Sequence, residues 1–309
     1  MTPTQEEKNL LLEFSGDISD LDPAERFLKS ILDIPNAFER FQAMQFRGCF
    51  NDNLTPIQEQ LKILESGCAE VRENRLFLKI LEAVLKMGNR MNKGTHRGEA
   101  EAFKLDALLR LSDVKSSDGK TTLLHFVTEQ ILKSEGRKIV SRMHDTGGSS
   151  SAKLLTSDVQ KMENDVKRKG LEVVWQLCTD LQSVKNAANV DADSLNQSVQ
   201  KLGNELRSVK NTLKATFREQ IQSSGGSEKQ DTFFVSMEAF FSQAEKEVEN
   251  LEKEVRGVFD RVKQVTAYFH GNAKEAYTLQ LFVIVRDFID MIEKVCKDFA
   301  RQLKMNLPG

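Results

Sequence analysis

Proline is scarce in this chain and unevenly placed. It occurs only at positions 3, 23, 35, 56 and 308, so the 251 residues from 57 to 307 contain none. A proline costs roughly 3 kcal/mol inside a helix and punctuates most loops, and so long a stretch without one predicts long uninterrupted helices. Glycine turns at the spacing of an all-β fold, about 8–12 residues, are missing as well. The cysteines, Cys49, Cys68, Cys178 and Cys296, form no close pair in the sequence. That spacing argues against a disulfide framework or a thiolate zinc site and for a reducing compartment. No apolar run approaches the ~20 residues needed to span a bilayer. The opening Met1-Thr-Pro-Thr-Gln-Glu-Glu is acidic and does not have the pattern of a signal peptide. Neither sign of charge dominates: 44 Lys and Arg stand against 46 Asp and Glu, with a pI near 6.2. That balance removes any global electrostatic case for nucleic acid or an anionic membrane as partner.

What is present points the same way. Apolar residues make up 39% of 309, enough for a sizeable core, and the fold class expected is all-α. The first strong helix start is Asp22-Pro23-Ala24-Glu25, with Asp at N-cap, Pro at N1 and Glu at N3. That helix should stop near Ile34-Pro35, because the residue before a proline is pushed out of the α region. A second, aromatic helix with Phe38, Phe41, Gln45 and Cys49 on one side follows. After Pro56, Ile57, Leu61, Leu64, Cys68 and Val71 recur at coiled-coil spacing. Past Arg75 the apolar arc broadens through Leu76, Phe77, Ile80, Leu81, Val84, Leu85 and Met87, as in a helix entering a globular core. It should end in Gly88-Asn89-Arg90-Met91-Asn92-Lys93-Gly94, where the last glycine suits a C-cap.

Residues 103–135 read as two short helices around the turn Ser116-Ser117-Asp118-Gly119, and 145–151 as a flexible loop. Three heptad runs follow. The first holds Leu155, Val159, Met162, Val166, Val173, Leu177, Leu181 and Val184, interrupted at Lys169; the second runs from Leu195 to Leu213. Beyond a second flexible loop at 223–227 comes the third and cleanest: Met237, Phe241, Ala244, Val248, Leu251, Val255, Val258, Val262, Val265 and Phe269 keep the spacing without a slip. As one helix, residues 231–270 would measure roughly 60 Å. Gly271-Asn272 is the natural break before a last amphipathic helix over about 274–304. The expectation is an elongated rod of helical subregions joined by an intramolecular antiparallel coiled-coil bundle. In it the 231–270 heptads pack against 57–85 and 155–213, since short loops favour local antiparallel pairing.

Chemistry-bearing constellations are few. Asp118-Gly119-Lys120-Thr121-Thr122 resembles the end of a phosphate-binding loop, but the glycine required five positions earlier is Val114 and no strand precedes it. A turn followed by an N-cap at Thr121 or Thr122 explains it better. His96, His125, His144 and His270 have no ligand spacing, and His125, in Leu-Leu-His-Phe, suits a satisfied boundary residue. With no nucleophile elbow either, an enzyme is not expected. One segment stands out. Residues 86–120 carry eight Lys and Arg (86, 90, 93, 97, 104, 110, 115 and 120) against five acids, together with the glycine-rich Gly94-Thr-His-Arg-Gly98. A local basic patch on a neutral protein suits an acidic partner surface, and a solvated loop with helix caps accounts for it equally well.

Gly88-Asn89-Arg90-Met91-Asn92 matches the G-N-x-x-N signature of the formin homology 2 domain. Ala102-Phe-Lys-Leu105, Leu111-Ser-Asp-Val-Lys-Ser116 and Thr121-Thr-Leu-Leu-His-Phe126 follow in the family's order, and Phe27-Leu28, Ile34-Pro35 and Phe77-Leu-Lys79 agree upstream. The chain therefore resembles that family, and its plant members most, densely from about 20 to 135 and through heptads and helix lengths beyond. The resemblance implies an actin-binding domain that nucleates filaments and processively holds and elongates barbed ends as a head-to-tail pair, each copy's lasso encircling the other's post. It implies actin and a second copy of the domain as partners, no cofactor, and a place in the cytoplasm at the cytoskeleton, with any membrane anchor of a full-length protein in other segments. It divides the chain into a partial knob (1–56), a helix from knob through coiled coil (57–85), a post region (86–150), coiled-coil helices (151–270) and a helix returning to the post (271–309). Gly88, Asn89 and Asn92 take the lasso-receiving role; Lys115, from the D-x-K-S stretch, takes the actin contact, with Arg90, Lys93 and Arg97 adding attraction. The tryptophan-bearing lasso, the linker and the knob's actin-contacting isoleucine have no counterpart here, Trp175 lying among the heptads, so impaired dimerisation is expected. The competing readings are a helical coiled-coil scaffold and a membrane-associated rod. The second is disfavoured because residues 231–270 hold eight acids and five bases.

Overall fold

The computed structural model describes residues 4–32, 34–95, 98–116, 119, 121–145, 156–223, 231–269 and 279–304. These form helices α1 (Gln5–Glu13), α2 (Pro23–Leu32), α3 (Ala37–Glu73), α4 (Arg75–Met91), α5 (Leu123–Asp145), α6 (Thr156–Asp180), α7 (Gln182–Ala187), α8 (Ala192–Ser223), α9 (Thr232–Tyr268) and α10 (Gln280–Leu303). Short 3₁₀ segments occupy Ile18–Asp20 and Leu105–Ser112. Among the described residues the one β feature is an isolated antiparallel bridge between Lys115 and Thr122, so the class is all-α. The loops expected at 145–151 and 223–227 and the break at Gly271-Asn272 lie outside the described residues, apart from Asp145 and Ser223, which end α5 and α8. The chain divides into two compact units, Met1–Glu59 with Asp193–Glu254, and Gln60–Ala192 with Val255–Gly309.

In the first unit most of the core comes from three helices. Ala43, Phe46, Phe50, Leu54 and Ile57 of α3 are buried, as are Leu195, Val199, Leu202, Leu206, Val209 and Leu213 of α8 and Met237, Phe241, Ala244, Val248 and Leu251 of α9. The order of the contacts Phe217–Phe234 (stacked, centroids 3.9 Å apart), Lys214–Glu238 and Lys210–Glu245 makes α8 and α9 antiparallel. Arg40–Asp231 and Phe46–Phe240 make α3 parallel to α9. The heptads at 195–213 and 237–251 are thus the buried seam their spacing predicts.

Three helix boundaries differ from the expectation. Helix α1 starts with a capping box, Thr4 Oγ1 accepting from the Glu7 amide and the Glu7 carboxylate from the Thr4 amide. The pattern Thr-x-x-Glu was there to be read. Helix α3 runs straight through Pro56. Pro56 is exposed while Leu54 and Ile57 beside it are buried, so the carbonyl that loses its donor faces solvent and packing on the other side holds the helix. The helix expected over 57–85 is instead two, because Asn74 leaves the α region (φ −68°, ψ 106°) and its side chain caps Phe77 N at 2.9 Å.

The second unit is centred on α10, where Leu281, Phe282, Val285, Phe288, Ile289, Ile292, Val295 and Cys296 are buried. Its partners include α6, α7 and the 105–112 segment. The remaining heptads of α9, Val255, Val258, Val262, Val265 and Phe269, are buried too. Their helix lies along α3 (Arg261–Glu65, 3.1 Å) and α4 (Phe269–Phe77, centroids 6.1 Å). The first heptad run is less regular than its spacing: Leu171 and Val174 are buried, Val173 is half-buried and Met162 is exposed. The helix breaks at Leu181, and the Glu70 carboxylate accepts from the freed Val184 amide at 3.0 Å. All four cysteines are free. Burial pushes Cys68 and Cys178 up to about 11 and Cys296 upward as well, leaving these thiols protonated and unreactive near neutral pH.

Candidate functional site

The segment from the end of α4 to the start of α5 carries every residue that the sequence nominated. Helix α4 ends at Asn92, whose amide donates to Gly88 O at 3.0 Å. Asn92 O then accepts from both Thr95 N (3.0 Å) and Thr95 Oγ1 (2.7 Å), starting a turn that Gly94 completes with φ +85°. The chain folds back so closely that a Cβ on Gly98 would lie 2.4 Å from Asn92 O. Asn89 closes the loop: its Nδ2 donates to Ala100 O at 2.8 Å and its Oδ1 accepts from Ala100 N at 3.0 Å. A Cβ on Gly88, by contrast, would meet nothing within 4 Å.

Beyond the loop, Leu105, Leu108 and Leu111 are buried. An apolar residue at every third position suits the three-residue turn of a 3₁₀ helix, which is the form that the first of the two short helices expected over 103–135 takes at 105–112. A small hairpin follows. Leu123 N donates to Val114 O at 2.7 Å and Ser116 N to Thr121 O at 2.8 Å, so Lys115 is pinned on both sides, and Gly119 turns the chain with φ +69°. Thr122 then caps α5, accepting from His125 N at 3.3 Å. The resemblance to a phosphate loop is therefore a hairpin turn and an N-cap; Asp118 and Lys120 lie outside the described residues. His125 Nδ1 lies 2.8 Å from Thr122 Oγ1, and its Nε2 faces an Asp298 carboxylate oxygen at 3.6 Å.

Among the described residues, several cations on this surface stand without an ion pair, whereas others of the molecule are matched. Lys79, Lys133, Lys167, Lys185, Lys210 and Arg261 all pair with carboxylates. Arg90, Lys93, Lys104, Arg110 and Lys115 are exposed and have no ion-pair partner among the described residues. Arg97 lies outside the described residues. Lys104 and Arg110, counted among the eight cations of 86–120, are exposed on the same segment as the nominated residues. Glu99, Glu101 and Asp106 are exposed on the same segment without ion pairs, so the surface is a mixed one with a basic excess. Among the described residues no group of His, Cys, Asp and Glu could hold a metal ion, and no helix is long and apolar enough to cross a membrane.

The family model described as Formin Homology 2 Domain matches residues 1–293. Formin-like protein 4 of Oryza sativa subsp. japonica is 43% identical over 304 residues, covering 98% of this chain and 34% of that protein. Formin-like protein 11 of Arabidopsis thaliana is 42% identical over 312 residues, covering 100% and 34%, and Formin-like protein 5 of the same plant 41% over 302 residues, covering 96% and 33%. The chain spans about a third of the length of these relatives. With the family matched along nearly its whole length, the chain belongs to the formin homology 2 domain family.

Proposed function

We propose that this chain is an actin-assembly domain that nucleates filaments and, paired with a second copy, holds and elongates their barbed ends. Family membership suggests the kind of partner. One observation supports the place: Arg90, Lys93, Lys104, Arg110 and Lys115 are exposed and unpaired on the surface between α4 and α5. Unpaired cations on a rigid frame attract an acidic protein surface and need no internal bond broken on docking. Lys115, held by backbone bonds on both sides, makes the closest contact in this reading, with Arg90, Lys93 and Arg97 adding longer-range attraction. Gly88, Asn89 and Asn92 lie where the lasso of a second copy would be received, and the open space over Gly88 is in keeping with that. The work is done at the cytoskeleton in the cytoplasm, without a cofactor and without a chemical step.

The test is Lys115→Asp, assayed for barbed-end binding on sheared filament seeds, both as the free chain and with two copies joined by a dimeric zipper. Removing one charge-assisted contact should cost about 1–3 kcal/mol where docking excludes water, a loss of roughly 5- to 150-fold in affinity. Circular dichroism should be unchanged, since Val114, Lys115, Ser116 and Thr121 of the hairpin are exposed. Wild-type affinity in a folded Lys115→Asp chain would remove this surface from the actin contact.

A further inference from the structure

We propose that Asn89 acts as a positioning residue: its side-chain amide is a clasp that holds the return of the loop after α4, so that the cations around it are presented preformed to their partner. This differs from the reading in which Asn89 is itself a contact for a second copy, and its functional half rests on the actin-facing role proposed for the basic surface.

The geometry carries the clasp. A carboxamide has one donor and one acceptor in a plane, like a peptide group, and here it satisfies both backbone groups of a single residue, Ala100, at 2.8 and 3.0 Å. Aspartate lacks the donor, leucine lacks both groups, and glutamine is a methylene too long for the same reach. Between Asn92 and Glu101 no described residue is buried, so hydrophobic packing does not hold the loop there. What holds it is polar and steric: Asn89 to Ala100, Thr95 to Asn92 O, Gly98 N to Thr95 O at 3.1 Å, and the approach of Gly98 to Asn92 O. Asn89 makes the longest-range bond of this set, eleven residues along the chain. Without it, the segment bearing Lys93 would be ordered only on binding, and that ordering entropy would be subtracted from affinity.

Hydrogen exchange on the whole chain, with Asn89→Leu and Gly98→Ala as variants, separates the clasp from a contact role. Leucine matches the shape of asparagine and keeps helix propensity. Gly98→Ala leaves Asn89 intact and opens the loop from the other side. The amides of Thr95, Gly98 and Ala100 should exchange about tenfold faster in both variants, with α5 and α10 unchanged. Barbed-end affinity should fall about five- to tenfold in both, and adding Lys93→Ala to Asn89→Leu should lower it little further. Unchanged loop exchange in Asn89→Leu would overturn the clasp. Faster exchange with wild-type affinity, while Lys115→Asp still loses affinity, would overturn its positioning role and leave the actin surface standing. If Lys115→Asp also binds normally, the actin reading fails, and the positioning role falls with it. Should Asn89→Leu fail to fold, Asn89→Asp, which lacks the donor to Ala100 O, takes its place and the same outcomes decide.

Discussion

Side chains hold α8 and α9 of the first unit apart, whereas α5 and α6 of the second unit meet backbone to backbone. Both pairs are antiparallel. In α8–α9 the spacing is set by heptad residues such as Leu206, Val209, Phe241 and Val248, all buried. Even at Gly203 an added Cβ would sit 3.6 Å from Val248 Cγ1, an ordinary contact. In α5–α6 a Cβ on Gly136 would fall 1.8 Å from Val166 O, and one on Gly170 would fall 1.9 Å from Leu132 O. Each glycine seats the other helix's backbone. Lys133 and Lys167 then reach across to Glu163 and Glu129 at 3.7 and 3.3 Å. A seam of large side chains spreads its stabilisation over many residues, while a seat of two glycines concentrates it at two.

The sharpest way to break the comparison is Gly170→Ala. The new methyl would demand that α5 and α6 separate, because the obstructing atom is a backbone oxygen and cannot rotate away. The loss should be about 3 kcal/mol or more, despite alanine's better helix propensity. Urea unfolding followed by circular dichroism measures it. Stability equal to wild type would mean that the helices do not rest on this glycine.

The same contrast explains what could be read in advance. The α9 seam was legible residue by residue, from Met237 to Phe269, because a spacing kept across ten positions outweighs local noise. The Gly136–Gly170 seat was not, because a single glycine in a helix looks the same whether it faces solvent or another backbone. Asn74 and Pro56 misled for a related reason. A cap is one hydrogen bond, and a proline is tolerated or not according to which side of the helix is wet. At the candidate site, the turn at Gly119 and the cap at Thr122 follow from local chemistry and were expected. The role of Lys115 came from resemblance to a family, and its pinning between Val114 and Ser116 came only with the hairpin. The Asn89–Ala100 clasp spans eleven residues without periodicity, so nothing in the sequence pattern announces it.

Gly203→Ala sharpens the comparison by reversing its sign. The position is buried within α8, yet the methyl would meet Val248 Cγ1 at contact distance and no backbone atom. Replacing a mid-helix glycine then removes its backbone entropy cost and should stabilise the chain by up to about 1 kcal/mol. The urea midpoint should rise for Gly203→Ala and fall for Gly170→Ala. Two falls of similar size would show that α8 and α9 are packed as tightly as the other pair.

The smallest effect concerns the charges that flank the glycine seat. Burial pushes the Glu129 carboxyl upward, but Lys133 at 3.1 Å and Lys167 at 3.3 Å outweigh it and hold the group below its ordinary value of 4.5. A carboxyl whose value is depressed by folding contributes stability that is fully present above the unfolded value. That contribution is lost as the pH falls through the lower, folded value. Glu129→Gln removes the titration and keeps the shape. At pH 6 the variant should therefore be less stable than wild type, by an amount within the range of a partly exposed ion pair, up to about 1 kcal/mol. Below pH 4.5 the wild-type carboxyl takes up its proton, and the gap between the two chains should close. Urea midpoints at pH 6.0, 4.5 and 3.5 follow the gap directly. A difference that stays constant across the three would mean that Glu129 acts through packing, and that the α5–α6 pair owes nothing to charge beyond its glycine seat.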